Sequence, residues 1–302
     1  MKEFVLSCIQ ISIIPNAISE NTEKCIVWLK RAMKESNPSL VCFPETITTG
    51  FSPGMDVNEF YEIVEPLDGV SVKKMCNEAR LNKVWILFPT YEKGPQNPVI
   101  YNSAVLINPD GNVSGVYRKT HPFPTERIEG GGWTTPGVNL PVFDTGFVRL
   151  GVTICYEGDF PELSRILAIN GAELILRPSA LLRSYEIWDL TNRARAYDNH
   201  VYFAGVNIVG ADAVGTCYFG NSMIVSPIAQ KLAQARGCDE IISAVLDPEP
   251  LKYVTYGSKS PMIFDHLEDR NVHLYGDILK EARSGFEPSK RIPYSKKSTL
   301  TP

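Results

Sequence analysis

Three predicted strands in this sequence stop abruptly on a reactive side chain: Leu40-Val41-Cys42-Phe43 before Pro44-Glu45, Val113 to Arg118 before Lys119, and Phe147 to Ile154, with its run Gly151-Val152-Thr153-Ile154, before Cys155. Short apolar or β-branched runs of this kind are strands buried in a sheet. Further strands are predicted at Phe4 to Ile11, Val84 to Phe88, Tyr101 to Asn108, Leu174 to Leu176, Val201 to Val206, Ser222 to Val225 and Ile241 to Leu246. Helical spacing separates several of them. It covers Asn21 to Lys34, with Ile26, Leu29 and Met33 facing inward, then Val70 to Leu81, Pro161 to Asn170 and Tyr185 to Asn199. Pro109-Asp110-Gly111-Asn112 is a hairpin turn between two of the strands. Strands and helices in this order predict an α/β layered fold. In open α/β sheets the strand ends face the crevice where ligands bind. A carboxylate, an ammonium and a thiol at three such ends can therefore converge on one pocket.

The chain of 302 residues, 44% of them hydrophobic, suffices for one large domain, and no Pro/Ser-rich linker divides it. We assign residues 1–260 to that domain and the polar segment 261–302 to a C-terminal tail serving subunit contacts. A net charge of −4 and a pI of about 5.7 argue against a nucleic-acid partner. There is no apolar run long enough for a membrane span, and Met1 to Gln10 lacks the features of a secretory signal. The expected location is the cytoplasm. The seven cysteines are irregularly spaced and form no Cys-x-x-Cys pair. Neither disulfides nor a structural zinc is expected, and most thiols should be reduced and buried.

Cys155 ends a strand and precedes Gly158, which permits a sharp turn, and Pro161, which suits the first turn of a helix. On such an elbow, nearby helix N–H groups favour the nucleophilic thiolate. Glu45 at the mouth of an apolar strand is poorly solvated and suited to proton transfer. Lys119 can stabilise a developing oxyanion or a neighbouring thiolate. Read singly, each has an ordinary structural explanation: a buried thiol, a loop acid, a surface lysine.

Together they resemble the three signature segments of the nitrilase superfamily of carbon–nitrogen hydrolases: Phe43-Pro44-Glu45-Thr46, Tyr117-Arg118-Lys119-Thr120-His121, and Ile154-Cys155-Tyr156-Glu157-Gly158-Asp159-Phe160-Pro161-Glu162. The resemblance runs from about Phe4 to Leu246. It implies an αββα sandwich that pairs with a second copy through its Cys-bearing face, and a Glu45–Lys119–Cys155 triad. It also matches the family's second glutamate to Glu126, within Phe123-Pro124-Thr125-Glu126, and implies that Glu126 positions Lys119 and the substrate nitrogen. Tyr156 would lend a backbone N–H to the oxyanion. No metal or organic cofactor is implied. The activity implied is hydrolysis of a non-peptide carbon–nitrogen bond, above all in a small neutral amide.

The rivals within this chemistry are an N-carbamoyl amine or amino-acid hydrolase and a nitrilase. A non-catalytic interaction protein on the same fold would have no reason to keep all three residues. A redox sensor lacks a resolving cysteine near Cys155. Trp133, in Gly130-Gly131-Gly132-Trp133, and Arg177, just past a strand end, are further candidates for substrate contact. His121 suggests a Cys–His dyad, but it has no assignable partner and is read as structural. Trp188, Arg193 and Arg195 are assigned to packing and ion pairs. Relatives that recognise acids commonly carry an arginine four positions after the nucleophile, where this chain has Asp159. Asp159 should either repel an anionic substrate or cap the following helix, and both readings favour a neutral substrate.

Overall fold

Strands that are apolar on both faces need cover on both faces, and the chain supplies it in four layers. The computed structural model describes residues 1–251, 263–292 and 294. The first half runs β1 (Phe4–Gln10), α1 (Ile18–Ser36), β2 (Leu40–Cys42), α2 (Val57–Ile63), α3 (Val70–Asn82), β3 (Trp85–Lys93), β4 (Ile100–Ile107) and β5 (Val113–Arg118). The second half runs β6 (Val142–Asp144), β7 (Arg149–Val152), α4 (Pro161–Ile169), β8 (Leu174–Ser179), α5 (Tyr185–Asn199), β9 (Tyr202–Asn207), β10 (Val209–Ala211), β11 (Cys217–Phe219), β12 (Met223–Val225), β13 (Lys231–Gln234) and β14 (Glu240–Leu246).

Two six-stranded sheets result, in the orders β14-β1-β2-β3-β4-β5 and β13-β12-β9-β8-β7-β6. In each, a parallel centre (β1-β2-β3, and β7-β8-β9) is flanked by antiparallel neighbours. Alternation along the strands sorts the side chains. Leu6, Cys8, Leu40, Cys42, Leu87 and Leu106 share a core with Leu150, Val152, Leu174 and Leu176 of the second sheet. Ile9, Val41, Phe43, Ile86, Phe88, Val105 and Ile107 pack instead with Leu29 of α1 and Val72 and Met75 of α3. Leu167 of α4 and Trp188 and Ala196 of α5 join the second sheet's core. The fold is an αββα sandwich.

The structure lengthens several predicted strands across residues that read as terminators. β3 continues through Pro89 to Lys93, paired with β4 throughout. β8 continues through Arg177-Pro178-Ser179 against β9. The predicted strand 147–154 contracts to Arg149–Val152. Helix α2, with Phe60 as its one buried residue, had too little apolar period to be seen; Asp56 caps it by accepting from the Asn58 N–H at 2.8 Å. The expected boundary at residue 260 lies outside the described residues. The tail's Ile292 and Tyr294 lie against the chain's own loop 120–130: Arg127 donates to the Ile292 carbonyl at 3.2 Å and the Tyr294 hydroxyl to the Thr120 carbonyl at 2.6 Å. Among the described residues no helix is long and apolar enough to cross a membrane.

Candidate active site

Glu45 follows β2, Lys119 ends β5's run, and Cys155 follows β7, so two sheets contribute to one place. Glu45, Lys119 and Glu126 are fully buried. One oxygen of Glu45 accepts from Lys119 Nζ at 2.8 Å and from Asn102 Nδ2 at 2.7 Å; the other accepts from the Ala180 N–H at 2.7 Å. Lys119 Nζ also donates to Glu126, whose carboxylate accepts from the Phe123 N–H at 2.7 Å and from Thr134 Oγ1 at 2.8 Å. Burial alone would lower the Lys119 pKa, but the Glu126 and Glu45 carboxylates outweigh it and hold the ammonium well above its ordinary value. Burial, with Glu45 nearby, raises Glu126, although Lys119 pulls it down. One ammonium between two buried carboxylates leaves an excess of negative charge, and Glu126 is the member pushed toward the neutral acid.

Cys155 opens a 3₁₀ turn, Cys155–Asp159, between β7 and α4. Its φ of +49° places a non-glycine residue in the left-handed region, a conformation that persists only where the surroundings enforce it. Two buried residues do so. Arg177 Nε donates to the Cys155 carbonyl at 2.7 Å, while its other N–H groups bind Thr191 Oγ1 at 2.9 Å and Asn192 Oδ1 at 2.8 Å. Glu157 accepts from the Ile154 N–H at 2.7 Å on one oxygen. Its other oxygen accepts from Tyr117 Oη, the Thr120 N–H and Thr120 Oγ1, each at 2.7 Å, and from the His121 N–H at 3.0 Å. Glu157 thereby ties the turn that carries Cys155 to the loop that carries Lys119. Despite burial, the His121 side chain and these donors hold its carboxyl below the usual range.

The sequence-based expectations meet this geometry unevenly. Arg177 is not at the pocket surface: it is fully buried behind Cys155, with its guanidinium over the Trp188 ring at 5.1 Å. Burial lowers its pKa to about 10. Gly158 is required for space and not for a left-handed turn, because a Cβ there would overlap the Arg177 guanidinium. Asp159 neither stands free at the pocket mouth nor caps α4; it pairs with Arg183 at 2.6 Å and Arg177 at 3.4 Å. His121 Nδ1 meets Thr120 Oγ1 at 2.9 Å, and its ring packs on Phe160 at 4.7 Å, as a structural histidine would. Trp188 is buried, and Arg193 and Arg195 pair with Asp189 and Asp198. Asn102 and Glu157 were missed as site residues. Glu157 stood inside the Cys155 motif and was open to notice, whereas nothing local marks Asn102 in the middle of β4.

Cys155 lines a small chamber with Phe51, Phe123, Tyr156, Ala180 and Arg183. Trp133 lies one step outward, in an adjoining cavity. Burial pushes the Cys155 thiol up to about 12, reinforced by Glu45 and opposed by Lys119 and Arg177. The resting thiol is neutral, contrary to the thiolate expected from helix N–H groups alone.

A model of the carbon–nitrogen hydrolase family matches residues 6–254. The chain belongs to this family. A probable nitrilase of Schizosaccharomyces pombe is 34% identical over 91% of this chain and 98% of its own length. An (R)-stereoselective amidase of a Pseudomonas species is 33% identical over 79% of this chain and 81% of its own. The crystal structure of Saccharomyces cerevisiae Nit3, a member of branch 10 of the nitrilase superfamily, superposes with a TM-score of 0.73 at 28% identity, covering 82% of this chain and 92% of Nit3. The carbon–nitrogen hydrolase described here is thus a nitrilase-superfamily enzyme.

Because a raised pKa keeps this thiol protonated through neutral pH, its alkylation should accelerate steadily with alkalinity. With a small neutral reagent lacking a carbonyl, the rate at the Cys155 peptide, read by mass spectrometry, should climb about tenfold per pH unit from about pH 7 to about pH 10. A plateau reached by about pH 8 would show that the site holds a thiolate after all.

Proposed function

We propose that the enzyme hydrolyses a small amide to the acid and ammonia or an amine, through a thioester on Cys155. The observation that carries this reading is a buried thiol in electrostatic reach of a fixed carboxylate and a fixed ammonium, at the wall of a small chamber. A thiol held neutral needs a base at the moment of attack, and Glu45 is the buried carboxylate whose charge reaches it. Glu45 takes the thiol proton as sulfur bonds to the amide carbon, and the carbonyl π pair moves onto oxygen. Lys119 and the Tyr156 N–H stabilise that oxyanion. Collapse re-forms the carbonyl and breaks the carbon–nitrogen bond, with Glu45 delivering its proton to the leaving nitrogen. Water then adds to the thioester carbon and gives a proton to Glu45; collapse re-forms the carbonyl, breaks the carbon–sulfur bond and releases the acid, and Glu45 returns its proton to the Cys155 sulfur. Glu126 holds Lys119 in register and faces the substrate nitrogen.

Relatives named as amidases and omega-amidases support an amide as substrate. A neutral substrate is favoured because Arg183, the charged residue in the chamber wall, already has Asp159 as its counter-ion. Carbamoyl compounds and nitriles present the same electrophilic carbon, and a panel of all three classes assayed for released ammonia separates them. On the best amide, Cys155→Ala should lose roughly 10³-fold or more in kcat, and Glu45→Gln about 10²- to 10⁴-fold. Near-normal turnover by Cys155→Ala would exclude the thioester route. Turnover of nitriles alone would reassign the substrate.

We also propose that two copies pair through the Cys-bearing face, where Ile166, Ile169 and Leu190 of α4 and α5 are exposed. The tail after Asp247 is proposed to add subunit contacts. Seven free thiols, two of them exposed, suit a reducing compartment such as the cytoplasm. Light scattering should give a multiple of the chain mass, and deletion beyond Phe286 should lower it. An unchanged mass after deletion would make the tail an intramolecular arm, in keeping with the contacts of Ile292 and Tyr294.

A further inference from the structure

The chamber at Cys155 has a free volume of about 20 Å³. That is about the room one water needs. So small a space leaves no room for the remainder of a substrate, which has to extend outward. Phe51, Phe123 and Leu182 line this chamber and also line a second, more open cavity of about 700 Å³. Trp133, Met55 and Val214 continue the outer wall, and Ser52, Thr125, Thr216, Gly54 and Gly131 complete it. Among the described residues none that line it is ionisable.

The wall is shaped and apolar. Phe51 meets Phe123 edge-on at 6.5 Å and Trp133 at 5.8 Å. Trp133 directs its polar edge away, donating Nε1–H to the Tyr91 hydroxyl at 2.8 Å. Leu182 and Val214 stand at the rim, 41% and 59% exposed. Scattered exposed aliphatics need no explanation, but a set gathered around the outlet of a reaction chamber does.

We infer that this vestibule is the subsite for the substrate's acyl chain, and that the preferred substrate is a primary amide bearing an apolar, uncharged chain several carbons long. The inference rests on the amide-hydrolysis reading for the chemistry at Cys155 and adds which amide. A carboxylate at the end of that chain would enter a wall with no cation to receive it. Each methylene moved from water into the vestibule should strengthen binding about fourfold, from the transfer free energy of a CH₂ group.

Calorimetric titration of Cys155→Ala with propionamide, butyramide, valeramide and hexanamide tests this without requiring turnover, and kcat/KM of the wild-type enzyme on the same amides runs beside it. Affinity should rise about fourfold per carbon. The rise should flatten in Val214→Asp, whose side chain sits at the exposed rim, and be lost for a hexanamide carrying a terminal carboxylate. Flat or falling affinity with chain length, an undiminished slope in Val214→Asp, or tighter binding of the acid-bearing amide would each overturn the inference. If affinity rises but the wild-type enzyme releases no ammonia, the vestibule assignment stands and amide hydrolysis fails. If amides are hydrolysed with no dependence on chain length, the vestibule assignment alone is lost.

Discussion

The buried Glu45 carboxylate is the point at which the two halves of the sandwich are held to one another chemically. Lys119 and Asn102 reach it from the first sheet, and the Ala180 N–H reaches it from the end of β8 in the second. A carboxylate removed from water is tolerated only when its oxygens are paired. The chain spends an ammonium, a carboxamide and a backbone amide on this one group. Removing a single partner from such a buried set costs about 3–5 kcal/mol, because the remaining charge is left uncompensated. The same bonds fix the orientation of the Glu45 carboxylate, so the stability of the cluster and the placement of the proposed base have one origin.

Cys155 depends on a second set of buried polar contacts. Its left-handed backbone is held from behind by Arg177 and from the side by Glu157, and Gly158 leaves the space that Arg177 fills. A guanidinium that might have read substrate is used up in this work, and so is Asp159. What remains toward the chamber is the thiol among aromatic and aliphatic walls, with Arg183 held by Asp159. On the proposed reading, substrate selection falls to shape and apolarity more than to charge.

Much of the fold was legible in the sequence because its strands are buried on both faces. Runs such as Leu40 to Phe43 carry no polar interruption, and their alternate residues fall into two separate cores. Glu45 and Cys155 were legible for the same reason, each closing an apolar run, whereas β5 begins exposed and Lys119 was legible through its motif with Tyr117, Arg118, Thr120 and His121. The rest was hidden by polar residues inside the core. Arg177 and Ser179 lie within β8 and Asn102 within β4, all fully buried, and each reads locally as a strand end or a surface position. Their reason for burial is a partner far away in sequence: 22 residues for Arg177 with Cys155, and 57 for Asn102 with Glu45. Periodicity cannot report such pairs. The charge of Asp159 was misjudged likewise, because its counter-ion Arg183 comes from the segment after β8.

The central claim is covalent: the Cys155 sulfur carries the acyl group between two proton transfers by Glu45. Acid-quenched mass spectrometry of the wild-type enzyme in the first turnovers on a hydrolysable amide tests it most directly. The account predicts that the peptide containing Cys155 gains the mass of the acyl group, as a thioester cleaved by hydroxylamine, before steady state is reached. An acyl group found on another residue, or single-turnover product release in which no acylated peptide ever forms, would contradict it.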